Sequence, residues 1–102
     1  MSREKWDVYP TSKTERLVKK LPDTVRSTLF ALLQDLENNG PKQPSWPHYS
    51  PLGKHGKKIP KHAHHCHLKR GRPTYVACWQ VIDEKNKVIE VFYVGSHENA
   101  PY

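Results

Sequence analysis

Apolar residues recur every three or four positions in one half of the chain and every second position in the other, and this change of period divides it into helices and strands. Val25, Leu29, Leu32, Leu33 and Leu36 fall on one stripe at the 3.6-residue period, which predicts an amphipathic helix. Pro22 and Asp23 open it with residues suited to a first helical turn, and Asn39, Gly40 and Pro41 close it. Leu17, Val18 and Leu21 carry the same period over a shorter helix from about Ser12 to Leu21, where Ser12 and Glu15 are spaced as a capping box. The two helices therefore form a hairpin with a common apolar side. Ahead of them, Trp6, Val8 and Pro10 alternate with polar neighbours, predicting a short strand that the proline stops or places at an edge.

The alternating period returns in three runs, His62 to Lys69, Thr74 to Ile82 and Val88 to Val94, which predict an antiparallel three-stranded meander. Arg70-Gly71-Arg72-Pro73 and Asp83 to Lys87 separate them with residues that strands avoid. Trp79 shares its face of the central strand with Tyr75, Ala77 and Val81 and reads as core. Between helices and meander, Gly40 to Lys61 holds five prolines, with Trp46, Tyr49, Leu52 and Ile59 as its sizeable anchors. Such a stretch reads as a long ordered loop, which in a small domain implies a task. Helices followed by sheet make the fold class α+β.

Length and composition narrow this further. The 102 residues make a single domain over 1–102, with 35% hydrophobic content sufficient for one core. Lys and Arg number 17 against 10 Asp and Glu, for a formal charge of +7 before any of seven histidines is protonated. That excess favours a polyanionic partner, whether nucleic acid, an anionic surface or an acidic protein segment. No apolar run approaches the roughly 18 residues of a membrane span, and Met1 to Pro10 lacks a signal-peptide core, so a cytoplasmic protein without membrane contact is expected. Cys66 and Cys78 stand in no CxxC pair and are expected as free thiols. The run His62-Ala63-His64-His65-Cys66-His67 invites a metal reading, but alternation puts His65 and His67 on one face and His62, His64 and Cys66 on the other. A zinc site would need further ligands from elsewhere, so no metal and no cofactor is expected.

The order strand, two helices, loop and three-stranded meander in about one hundred basic residues resembles the RelE/ParE superfamily of toxin–antitoxin proteins, over nearly the whole chain. Tyr93-Val94-Gly95-Ser96-His97-Glu98 is similar to the final strand of YafQ-like and other RelE-type ribonucleases, where a Gly-Thr-His segment supplies a catalytic histidine. His65-Cys66-His67-Leu68 looks like the strand that contributes a second one, and Ser50-Pro51-Leu52-Gly53 like the segment before it. Two departures stand out. Ser50 occupies a position where the YafQ-like pattern has histidine, with His48 and His55 nearby as substitutes. Gly71, between Arg70 and Arg72, occupies one where that pattern has aspartate.

The resemblance implies a toxin that cuts messenger RNA, at the ribosome, without a metal ion, and that is silenced by an acidic or amphipathic antitoxin. Cleavage through the 2′-hydroxyl needs a base, an acid and cations around the phosphorane, which histidines and arginines supply. His97 and His67 are accordingly the candidate proton-transfer pair, Arg70 and Arg72 the candidate phosphate clamp, and Tyr102 a ring that could stack on a base. Each has an ordinary alternative: a turn histidine, a solvated edge-strand histidine, a basic surface turn and an aromatic anchor for the chain end. Lys54, His55, Lys57, Lys58, Lys61, His65 and Lys69 are the candidate RNA-backbone contacts. Two other functions compete: a ParE-like gyrase inhibitor without catalysis, and a non-catalytic RNA-binding module.

Overall fold

A computed structural model describes residues 5–52 and 62–102. Strand β1 (Asp7–Pro10) leads into helix α1 (Ser12–Lys19) and helix α2 (Asp23–Asn39). Then come β2 (Ser50–Pro51), β3 (Ala63–Lys69), β4 (Tyr75–Asp83), β5 (Val88–Ser96) and a short 3-10 turn, His97–Asn99. The strands form one sheet in the order β1-β5-β4-β3-β2. β1 runs parallel to β5, the helical hairpin leads from β1 to β2 at the opposite edge, and the other neighbours are antiparallel.

The α+β class and the meander agree with the expectation from sequence, and several local details differ. Helix α1 is capped one residue early. Thr11, leaving β1 with its N–H bonded to the Val91 carbonyl, accepts from the Thr14 N–H at 3.1 Å and donates to the Thr14 hydroxyl at 2.8 Å. Thr14 is fully buried, so its hydroxyl needs that partner, whereas Ser12 and Glu15 are exposed and form no capping box. The same helix ends at Lys19 rather than near Leu21, in 3-10-type bonds that stop at Pro22. Its last carbonyls are collected by Arg26 of α2, which reaches the oxygens of Val18, Lys19 and Leu21 at 3.3, 3.4 and 2.8 Å. Finally, β5 continues past Val94 because Gly95 and Ser96 still pair with Val76 and Tyr75.

Both helices cover one face of the sheet. Leu21, Val25, Leu29, Leu32 and Leu36 pack there against Cys66, Leu68, Ala77, Trp79, Ile89, Val91 and Val94. Trp79 is core, as its alternation predicts, and donates to the Pro41 carbonyl at 3.0 Å. Gly40 ends α2 at φ 88°, and a Cβ there would meet Trp6 Nε1 at 3.0 Å, so both backbone and space require glycine.

The described part of the proline-rich segment is a welded element. Gln43 donates to the Asp35 and Gly40 carbonyls, Trp46 donates to the Asp35 carboxylate, and Leu52 is buried. Ser50 and Pro51 then pair with His65 and His64, adding the edge strand that a loop assignment overlooks. A bulge at Cys78/Trp79 opposite Tyr93 and Val91 gives β5 one extra residue, Phe92. Phe92 and Tyr93 consequently both pack on the face away from the helices, with Leu52, Ala63, Cys78 and Tyr102.

Candidate active site

Strand β3 alternates its histidines between the two faces, and their fates diverge. His64 faces the helices in a three-ring cluster with Tyr49 and Trp79, at ring distances of 5.8 and 5.9 Å, its Nδ1 2.8 Å from the Tyr49 hydroxyl. Burial, reinforced by the positive charges of His62 and Lys42, pushes it down to about 4, so it is neutral at physiological pH. His65 and His67 face the other way, where the chain returns after β5.

Gly95 makes that return possible. Its φ of 151° is open to glycine, and a Cβ would lie 2.8 Å from the Tyr93 hydroxyl, which instead donates to the Ser96 carbonyl. The His97 N–H then bonds the Thr74 carbonyl at 2.7 Å, fastening the final turn to the start of β4. As a result the rings of His67 and His97 meet edge to face at 5.7 Å. They line an open hollow of about 770 Å³ together with Gly71, Arg72, Pro73, Thr74, Ser96 and Glu98. This volume lies within the range of small-molecule sites.

A third imidazole joins them. His48 stacks on His67 with centroids 4.2 Å apart. Its position follows from register: Ser50 pairs with His65, so the residue two earlier lies opposite His67, whose N–H bonds the Pro47 carbonyl at 2.8 Å. His67 is thus flanked on both sides and is not an open-edge histidine. In sequence His48 stood out only as a substitute for the histidine missing at Ser50, because the pairing of β2 was not legible. Ser50 itself turns to His65, its hydroxyl and carbonyl oxygens each 3.2 Å from Nδ1.

Electrostatics single out His67. Partial burial, and then the positive charges of His48, His65, His97 and Arg70, hold its imidazole below the ordinary value. A ring kept neutral inside a cationic hollow can accept a proton while its neighbours attract phosphate. Of the two arginines, Arg72 lines the hollow, and Arg70 acts on His67 through its charge.

Tyr102 lies against His65 at 4.7 Å and edge-on to His97 at 5.7 Å. Its hydroxyl is buried without a hydrogen-bond partner among the described residues. Burial, with the nearby thiols of Cys78 and Cys66 and the phenol of Tyr93, holds that hydroxyl well above its usual value. The ring is therefore a protonated buttress for both imidazoles. His65 is also buried, whereas Lys69 is exposed at the end of β3. Lys54, His55, Lys57, Lys58 and Lys61 lie outside the described residues.

Cys66 and Cys78 are free thiols on opposite faces, and burial pushes both up to about 12. Among the described residues no three His, Cys, Asp or Glu side chains are grouped to hold a metal ion, and no helix is long and apolar enough to cross a membrane.

No protein-family model matches the chain, and no curated protein sequence does. Solved structures do match. A metal-bound toxin from Helicobacter pylori superposes with a TM-score of 0.63 at 23% identity, covering 91% of this chain and 96% of that one. The isolated E. coli RelE toxin gives 0.63 at 19% identity, over 94% of this chain and 88% of its own. RelE–RelB from Pyrococcus horikoshii gives 0.60 at 14% identity, over 93% and 98%. Two helices over a five-stranded sheet, matched along nearly the full length of both partners, give this chain the RelE-like fold.

Proposed function

We propose that the chain is the toxin of a type II toxin–antitoxin pair and that it cleaves messenger RNA through the ribose 2′-hydroxyl. The observation that carries this reading is the meeting of His67 and His97 at 5.7 Å in one hollow with Arg72. In the reaction, His67 takes the proton of the 2′-hydroxyl, whose oxygen attacks the adjacent phosphorus. Arg72, supported by the charge of Arg70, neutralises the phosphorane. His97 gives a proton to the departing 5′ oxygen, leaving a 2′,3′-cyclic phosphate and a 5′-hydroxyl. The depressed proton affinity of His67 supports its role as the base, which leaves His97 that of acid.

His48 and Tyr102 hold the pair in position. Lys69, the lysines near residue 54 to 61 and the overall charge of +7 draw in the RNA backbone, and the same charge suits an acidic or amphipathic antitoxin. The E. coli RelBE complex, at a TM-score of 0.62 and 21% identity over 92% of this chain, supports a partner of that kind. Decoding-site RNA on the ribosome is the substrate that the RelE-like fold favours.

Induced expression followed by mapping of RNA 5′ ends tests the reading. New 5′-hydroxyl ends and growth arrest are expected with the unaltered chain, and neither with His97→Ala. Growth arrest that survives both His97→Ala and His67→Ala, without RNA fragments, would instead indicate a protein target such as gyrase. Salt-sensitive RNA binding without fragments or arrest would indicate a non-catalytic module.

A further inference from the structure

Glu98 is out of place in a hollow built for phosphate. It lines the same wall-to-wall space as His67, His97 and Arg72, yet its carboxylate forms no ion pair or hydrogen bond among the described residues, Arg72 included. Glu98 is exposed at the mouth of the hollow, on a turn whose backbone is fastened to Thr74 by the His97 N–H and to itself by the bond from the Ala100 N–H to the His97 carbonyl. A carboxylate beside the path of a polyanion lowers affinity for every sequence alike. It is compatible with binding only where a substrate group that donates hydrogen bonds reaches it.

Within RNA those donors are on base edges. Guanine presents N1–H and N2–H side by side, with no acceptor between them, and so meets both carboxylate oxygens at once. Adenine and cytosine each offer an amino donor next to a ring-nitrogen acceptor, and uracil offers a single N–H between two carbonyls. Those acceptors would face the carboxylate lone pairs unfavourably. The hollow also has room and a surface for the ring: Pro73 lines it and takes no part in the phosphate contacts.

We propose that Glu98 is the specificity-determining residue of this site and selects guanine at a nucleotide flanking the scissile phosphate. The inference rests on the ribonuclease reading above and deepens it.

The test uses short RNAs that differ at one position, bound by the full chain carrying His67→Ala so that no cutting intervenes, with affinity read by fluorescence anisotropy at fixed salt. Guanine is expected to bind at least about fivefold tighter than adenine at the preferred position. Inosine, which lacks the N2 amino group, should lose most of that advantage. With Glu98→Gln added, the guanine advantage should shrink and adenine and cytosine should gain, because each pairs a donor with an acceptor as an amide does. Mapping of cut sites made by Glu98→Gln in an otherwise unaltered chain should show the same shift. Equal affinity for all four bases, or a uniform change on Glu98→Gln, overturns the inference. If the unaltered chain cuts RNA and base preference ignores Glu98, only this inference fails. If nothing is cut but the guanine preference depends on Glu98, the ribonuclease reading fails and the base contact stands.

Discussion

The two faces of the sheet use the same residue type for opposite ends. His64, under the helices, is enclosed by Tyr49 and Trp79, has its Nδ1 engaged, and stays neutral down to about pH 4. His67, three residues along the same strand, stacks on His48, meets His97 and opens onto a hollow lined by Arg72. One histidine is a satisfied component of an aromatic stack. The other is half-buried among positive charges, where protonation costs free energy but a substrate phosphate is welcome. A histidine-rich sequence thus carries two different structural roles, and alternation along a strand separates them.

Substitutions at the two faces should separate activity from stability. His67→Ala is expected to lower the cleavage rate by about 10²–10⁴-fold, the usual contribution of a positioned base, while the thermal midpoint moves little. Trp79→Ala, on the helix side, should cost about 3–5 kcal/mol in denaturant unfolding, because a fully buried indole leaves a cavity and the Pro41 carbonyl loses its donor. If the two variants behaved alike, the contrast between the faces would be lost.

The pH dependence of folding should report His64. Its folded-state value is depressed to about 4, so the unfolded chain takes up a proton near the ordinary 6.5 that the folded chain refuses. The resulting stability is fully present above about pH 6.5 and is lost as pH falls towards 4, at up to about 1.4 kcal/mol per pH unit. Urea titrations from pH 7 to 4 should show this slope, and it should flatten in His64→Phe. A smaller loss, about 1 kcal/mol, is expected for Thr11→Ala, with Ser12→Ala nearly silent, by thermal unfolding. The smallest effect concerns His48→Ala, which removes both cover and positive charge from His67. Its imidazole should then rise towards the ordinary value, moving the acid limb of the rate profile to higher pH by a fraction of a unit.

Much of the molecule is written locally. The leucine stripe of α2, the Gly40-Pro41 stop and the alternating runs of β3, β4 and β5 each depend on period and punctuation within a few residues, and each forms to within about two residues of its expected bounds. Spacing alone points to Ser12 and Glu15 as the cap of α1, whereas Thr11 takes that place because the buried Thr14 hydroxyl needs it as a partner. Strand β2 leaves no signal in the sequence, because two residues in a proline-rich stretch have no period.

The site divides along the same line. Which residues bear chemistry could be named from the chain alone: His67 and His97 for their imidazoles, Arg70 and Arg72 for their turn, and two faces for β3 from alternation. That His48 rests on His67 required β2 to be paired with β3, and that Glu98 reaches the hollow with no partner among the described residues required the Gly95 turn to bring β5 back towards β4. Periodicity is set by backbone geometry over neighbouring residues, so sequence carries it. Convergence depends on register between strands far apart in the chain, together with the bulge at Cys78/Trp79 and the fastening of His97 to Thr74, and these are settled only when the whole sheet is packed against its helices.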